Sequence, residues 1–468
     1  MMRSNNKTDR RSFVKKTVLL SGALSLGIPN IMRSDNQANL RSSFTIDEGE
    51  VAFEREPLIH SYGFKGGYIT RLWQIVTKLQ DTSGYDTIGL GVQSPLWSDS
   101  RIASRWGESG SSALMYNLTG RALQLIKGQS YESPIDMIDS ILEEVLNYGA
   151  KITNTPDLRK TFALNALVSV DNAAWLLYAK QNGITSFDEL IPKNYKSALS
   201  FKNTGVVSVP SISYSTSEAE ISQLGKDGNY IVKIKIGSPG SQQEMLEKDM
   251  ARMDVIHKSL SKMHSENSPD GRILYYLDAN GRYQEKETLL RYLDHCKKIG
   301  AFERLLIVEE PFPEELKEDV RDIDVRLAAD ESAHTDKDAL ERIEMGYSVI
   351  ALKPIAKTLS MTLKILKIAQ ERNIPCICAD LTVNPVLVDW NKSIAARLKP
   401  IPGLKDGLLE TNGGQNYKNW DKMIGYHPSG RASWNKPVNG IFNLNKDFYS
   451  ESAGIFLPLD HYAGLFKH

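Results

Sequence analysis

LLIVEEPFP, residues 305–313, is an apolar run of strand length that ends in two acids and a proline. Alone it is ambiguous, because a strand stepping out into water ends in the same way. Its neighbours remove the ambiguity. ILYYLDANG, residues 273–281, ends its apolar run in Asp278, and RLAADESAH, residues 326–334, ends its run in Asp330. The 31 residues from Asp278 to Glu309 and the 21 from Glu309 to Asp330 each leave room for one helix and its loops. Outward from these three, further short apolar runs fall at 206–210, 231–236, 349–353, 376–380 and 407–411. Amphipathic stretches lie between them, among others at 242–263, 287–298, 337–346 and 361–372. Eight strands alternating with helices predict an α/β fold of the parallel (β/α)8 barrel type.

The rest of the chain is organised around that barrel, placed at 200–412. Residues 51–199 mix β-like stretches such as YDTIGLGV with helical ones such as SPIDMIDSILEEVLNYG, and read as an α+β domain. Residues 31–50 are polar and aperiodic and read as a linker, and the Asn-, Gly-, Tyr- and Trp-containing segment 413–468 is expected to pack back on the α+β domain. At the start, DRRSFVKKTVLLSGALSLGIP sets Arg10 and Arg11 before a short apolar run. That run is too short for a comfortable bilayer span but suits an export signal, and the paired arginines resemble the bacterial twin-arginine signal, so 1–30 is assigned to it. The expectation is a protein exported to the periplasm, with no stable membrane span once mature.

Lys plus Arg and Asp plus Glu both number 57 among 468 residues, so the formal net charge is zero. A nucleic-acid binder would show a basic excess, and none is expected as a partner. The three cysteines, Cys296, Cys376 and Cys378, support no disulfide framework. Cys376 and Cys378, two apart on one strand, read as small buried thiols.

In such a barrel the chemistry lies at the C-terminal ends of the strands. Three successive strands put Asp278, Glu309 and Asp330 there, and carboxylates brought so close repel one another unless a cation sits between them. Hard oxygen ligands in that number suit Mg2+. On the second strand, YIVKIKIG, Lys233 and Lys235 are two apart and share a face. A closed barrel has no edge, so both must point inward, where a cation without a partner is costly. Lys353 ends the sixth strand, across the barrel. A nearby Mg2+ and a second ammonium would depress these lysines toward the range of about 7–8 useful to a base.

The motifs KIK, LDANG, VEEP, AADES and ALKP, in this order, resemble the enolase superfamily. Within it the chain looks like the mandelate racemase/muconate-lactonizing enzyme family, nearest the muconate-lactonizing and dipeptide-epimerase branch. The resemblance covers roughly residues 45–412 and implies a modified (β/α)7β barrel with an N-terminal α+β capping domain. It implies removal of the proton α to a substrate carboxylate, with the enolate stabilised by one Mg2+ per subunit. Carried over residue by residue, Asp278, Glu309 and Asp330 are the metal ligands, with Asn280 and Glu310 beside them. Glu331 is not expected to be a ligand. Lys235 and Lys353 are the acid/base pair and Lys233 an electrostatic neighbour. The seventh strand ends in Asp380 and lacks the histidine base of the family's acid-sugar dehydratases. Where dipeptide epimerases carry paired aspartates on the eighth strand, this chain has LLETNG, offering Glu410 and Asn412.

Substrate contacts are further expected from HSYGFKGGY, read as a mobile loop whose Tyr62, Phe64 and Lys65 reach the substrate. The partner is a small-molecule carboxylate, and a homo-oligomer is expected. The leading expectation is a racemase or epimerase working through Lys235 and Lys353. A lyase (a dehydratase or cycloisomerase of a sugar acid or related carboxylate) shares the enolate but needs a leaving group. An exported barrel that binds a carboxylate without chemistry has no need for two buried bases.

Overall fold

The structure, a computed structural model, describes residues 43–467, so the export-signal reading of 1–30 lies outside the described residues. The α+β part begins earlier than position 51. Phe44–Ile46 pairs antiparallel with Gln129–Tyr131, and Glu48–Phe64 is already strand. Phe44 and Ile46 sit either side of Thr45 and bury fully on one face, a signal too short to stand out among polar neighbours in what read as linker. Glu48–Phe64, Gly67–Gln80 and Asp86–Gln93 form an antiparallel sheet covered by helices Ser100–Ile126, Pro134–Thr153 and Lys160–Gln181. The last is the one described helix long and apolar enough to cross a membrane, and 94% of its most apolar 18-residue stretch is buried in the protein. It lies close enough to the sheet that a Cβ on Gly89 would stand 2.2 Å from the Ser169 carbonyl oxygen.

The barrel strands follow in chain order: Gly205–Val209 continued by Ser211–Ile212, then Ile231–Lys235, Leu274–Asp278, Leu305–Glu309, Leu327–Ala329, Val349–Leu352, Cys376–Cys378 and Gly407–Glu410. Each pairs in parallel with its neighbour. The ring closes through the first strand, whose lower part pairs with Gly407–Glu410 and whose upper part, Ser211–Ile212, pairs with the second strand. The eight strands expected from the sequence are therefore all present. The tail does more than lie on the α+β domain. Ile441–Asn443 pairs antiparallel with the lower half of the first strand, while further on His461 bonds Glu54 at 3.0 Å and Lys78 stands over the Phe466 ring.

Alternation along each strand explains where the polar residues go. Ile231, Tyr276, Ile307, Ala328, Ala351 and Leu408 belong to a cluster that fills the barrel interior. Two residues further along each of these strands, on the same face, stand Lys233, Asp278, Glu309, Asp330, Lys353 and Glu410. An apolar plug thus passes upward into a charged layer at the C-terminal mouth. Cys376 and Cys378 point the other way, into the layer under the helices, and are buried free thiols. Capping boxes start three barrel helices, from Ser217 with Glu220, Ser241 with Glu244 and Thr335 with Asp338, fixing each loop length.

Candidate metal and acid/base site at the barrel mouth

Every charged side chain of this layer is buried, so its charge must be answered inside the protein. Lys233, fully buried, lies 2.7 Å from Glu309 Oε2, 2.8 Å from Glu410 Oε2 and 2.9 Å from Asp278 Oδ2. Lys235 donates to Asp278 Oδ2 at 2.5 Å and to Asn280 Oδ1 at 3.3 Å. Lys353 donates to Asp330 Oδ2, and Lys357, one turn further, pairs with Asp330 Oδ1 at 3.2 Å. Lys65 reaches in from the α+β domain to Glu331 Oε1 at 3.4 Å and to the Trp97 carbonyl at 2.7 Å.

The two lysines expected to act as bases stand on the second and sixth strands, four places apart in the ring, with the carboxylates on the strands between them. The expected depression presumes a bound cation; without one the two lysines are raised. Burial alone lowers Lys235 and Lys353, but the adjacent carboxylates, Asp278 for the first and Asp330 for the second, overcome it and raise both. Asp278 and Asp330 are each held well below the carboxylate range, because the ammonium groups beside them outweigh the burial that would raise them. Glu309 moves the other way, raised by burial and by Asp278. Glu310 is pushed up to about 7 by burial and Glu331, and Asp380 to about 6 by burial and Glu410.

The buried carboxylate oxygens of this layer mark where a cation would fit. Glu309 Oε1 and Glu331 Oε2 are buried without a hydrogen bond, Asp330 Oδ1 has the Lys357 ammonium at 3.2 Å, and one carboxylate oxygen from each of these three residues lies within 4.8 Å of the other two. Oxygen donors of this kind fit a hard cation. The tight cluster differs from the expected set in one member. Glu331 joins the tight cluster, whereas Asp278 gives its Oδ2 to Lys233 and Lys235, with Lys233 filling the space between Asp278 and Glu309.

The remaining expected residues divide. Asn280 sits between Lys235 and Glu331, donating to Glu331 Oε1 at 2.9 Å. Glu310 turns from the barrel axis and accepts from the amides of Asp330 and Ser332. Asp380 and Glu410 were expected to meet a substrate. Asp380 accepts from the amides of Leu381, Val383 and Asn412, and Glu410 accepts from Lys233 and the Asp380 amide. Asn412 is buried with its Oδ1 unbonded. HSYGFKGGY forms the tip of a hairpin, its two-residue turn made by Lys65 and Gly66, both at positive φ. The tip nonetheless reaches the mouth, where Tyr62 bonds Ser211 Oγ at 2.6 Å and the Lys235 ammonium stands 5.6 Å from the Phe64 ring. Besides Lys357, two residues at the mouth carry no expectation from the sequence. Trp97 donates to Asp330 Oδ2 at 3.2 Å and lies under Lys353, and Tyr276 donates to Glu309. Tyr276 was findable, being inward on its strand; Trp97 carried no such signal.

Residues 217–401 match the enolase C-terminal domain-like family. No curated protein matches the chain significantly. Among solved structures, a dipeptide epimerase from Enterococcus faecalis, complexed with Mg and the dipeptide L-Leu-L-Tyr, is similar at 17% identity over 79% of this chain and 90% of that one, with a TM-score of 0.54. A mandelate racemase/muconate lactonizing protein from Herpetosiphon aurantiacus is similar at 17% identity, covering 86% and 96%, with a TM-score of 0.57. A 2-chloromuconate cycloisomerase from Rhodococcus opacus gives 16%, 78% and 87%, and 0.55. At these identities the likeness establishes the fold, an enolase-type barrel with its α+β cap.

Proposed function

We propose that this chain is a divalent-cation-dependent racemase or epimerase that removes and returns the proton α to a substrate carboxylate. The observation that carries the reading is the pair of buried lysines on opposite strands, each ion-paired to a carboxylate of the acidic layer. Glu309 and Asp330, with Glu331 or Asp278 as the third, would hold the cation, Mg2+ by the choice of donors. Bound there, it would supply the positive charge against which a carboxylate's α-proton becomes acidic. Carboxylates engaged in this way no longer favour the ammonium forms of Lys235 and Lys353, which frees one lysine to be neutral. One lysine takes the proton from one face and the other delivers a proton to the opposite face. Lys233, held by three carboxylates, stays charged. Tyr62, Phe64 and Trp97 close the mouth and exclude water from the proton's path.

The test is α-hydrogen exchange in D2O with Mg2+ present, screened over dipeptides, N-acylated amino acids and sugar acids. At least one carboxylate should exchange its α-hydrogen from both stereoisomers and interconvert them. Exchange accompanied by loss of a leaving group would make the chain a lyase, and no exchange with any class would overturn the reading. For location, the paired arginines support export by the twin-arginine route. Replacing Arg10 and Arg11 by lysine should retain the protein in the cytoplasm, and undiminished export of that double variant would exclude the route.

A further inference from the structure

The fifth strand ends in Asp330, and the short loop after it carries Glu331 and Ser332, so the geometry of the acidic cluster depends on how this loop is held. It is gripped from both neighbouring strands by buried charges. From the fourth strand, Glu310 accepts from the Asp330 amide at 2.7 Å and the Ser332 amide at 3.2 Å. From beyond the sixth strand, Lys357 donates to the Asp330 carbonyl oxygen and stands 3.2 Å from Asp330 Oδ1. Lys357 is completely buried. It sits at the end of a one-turn helix, Pro354–Lys357, packed against the long cap helix Lys160–Gln181. The residues flanking this grip are strained: Glu310 has φ 39° and the residue after Lys357, Thr358, has φ 70°. Backbone strain of this kind survives only where the surroundings over-determine it.

We propose that Lys357 is a positioning residue for the cation site, acting with Glu310 as a two-sided clamp. Glu310 fixes the amides of the Asp330 loop and Lys357 its carbonyl, so that Asp330 and Glu331 are held in place before a cation arrives. The inference rests on the reading that Glu309, Asp330 and Glu331 hold a divalent cation.

The test uses the full chain with Lys357→Met and Lys357→Gln, and Mn2+ as the probe. In the metal-free protein, the amides of 330–333 in Lys357→Met should exchange with D2O about ten-fold faster than in the parent, with the rest of the barrel unchanged. Its affinity for one Mn2+ should fall about ten-fold, as for other residues that orient metal ligands. Lys357→Gln, neutral but still able to donate to the carbonyl, should recover most of both losses, and it serves alone if the methionine variant does not fold. A lysine that merely balanced charge would give the opposite sign. Removing it would take a cation from beside the site, so Mn2+ would bind more tightly in both variants. That result overturns the proposal, as does unchanged protection of the loop, or faster exchange spread over the whole barrel. If the parent protein binds no Mn2+, or Glu309→Gln binds it as well as the parent, the cation reading fails alone, and the loop exchange then decides the clamp.

Discussion

Glu309→Gln and Asp330→Asn should each weaken divalent-cation binding about a hundred-fold or more and leave α-hydrogen exchange at background. Each neutralises a carboxylate of the buried cluster in which Glu309, Asp330 and Glu331 bring oxygens within 4.8 Å of one another. An amide there presents a neutral oxygen in place of a charged one, and hard cations are held by charge. The fold should tolerate the first change well. Burial and Asp278 already push Glu309 toward its protonated form, so a neutral Gln costs the metal-free protein little. Lys233 keeps Asp278 and Glu410 as partners. Calorimetric titration with Mg2+ or Mn2+, run beside a thermal melt of the metal-free variant, separates lost binding from lost folding. Asp278→Asn and Glu331→Gln belong in the same series, because they distinguish the set implied by family resemblance from the set nearest together in the structure. Tight binding that survives either Glu309→Gln or Asp330→Asn would place the cation elsewhere or remove it from the mechanism.

The acidic layer was legible because barrel strands obey a strict alternation. Once 305–309 was read as a strand, Glu309 had to face the same way as Ile307, and the same parity placed Lys233, Asp278, Asp330 and Lys353. Such inward residues need no tertiary knowledge beyond closure of the ring. Apart from Tyr276, what was missed follows no period. Lys357 lies on a one-turn helix whose direction is set by Pro354 and the strained Thr358, and Trp97 arrives from another part of the chain. The hairpin at HSYGFKGGY was not legible for a related reason. Its glycines are compatible with either an open loop or a tight turn, and the turn is set by the long pairing of the strands on both sides, which spans Glu48 to Gln80. The lysine depression expected from the sequence presumes a bound cation; without one, each carboxylate's pull on its nearest ammonium dominates. Asp380 and Glu410 show the same limit from the other side: acids at strand ends can be consumed by main-chain amides and a neighbouring lysine, which the sequence of those strands does not disclose.

Lys353→Ala should abolish interconversion of stereoisomers, by about three orders of magnitude or more, while one stereoisomer continues to exchange its α-hydrogen with D2O; Lys235→Ala should do the same for the opposite stereoisomer. General acid/base groups contribute about 10²–10⁴-fold to a proton transfer, and an epimerisation needs two transfers in succession on opposite faces. With one lysine removed, the first transfer still occurs on the face that retains its base, and the proton then returns to the face it left, carrying deuterium from solvent. The positions of the two lysines make the prediction specific, because the second and sixth strands face each other across the mouth. Each variant also leaves a carboxylate less tightly held, Asp278 in one case and Asp330 in the other. Cation affinity must therefore be measured alongside, and the exchange compared at saturating Mg2+. A chain working as a lyase would behave asymmetrically, with one lysine indispensable to every partial reaction and the other affecting only departure of the leaving group. Full interconversion by either single variant would show that the proton does not pass through two lysines, and the role of the buried pair would then be electrostatic alone.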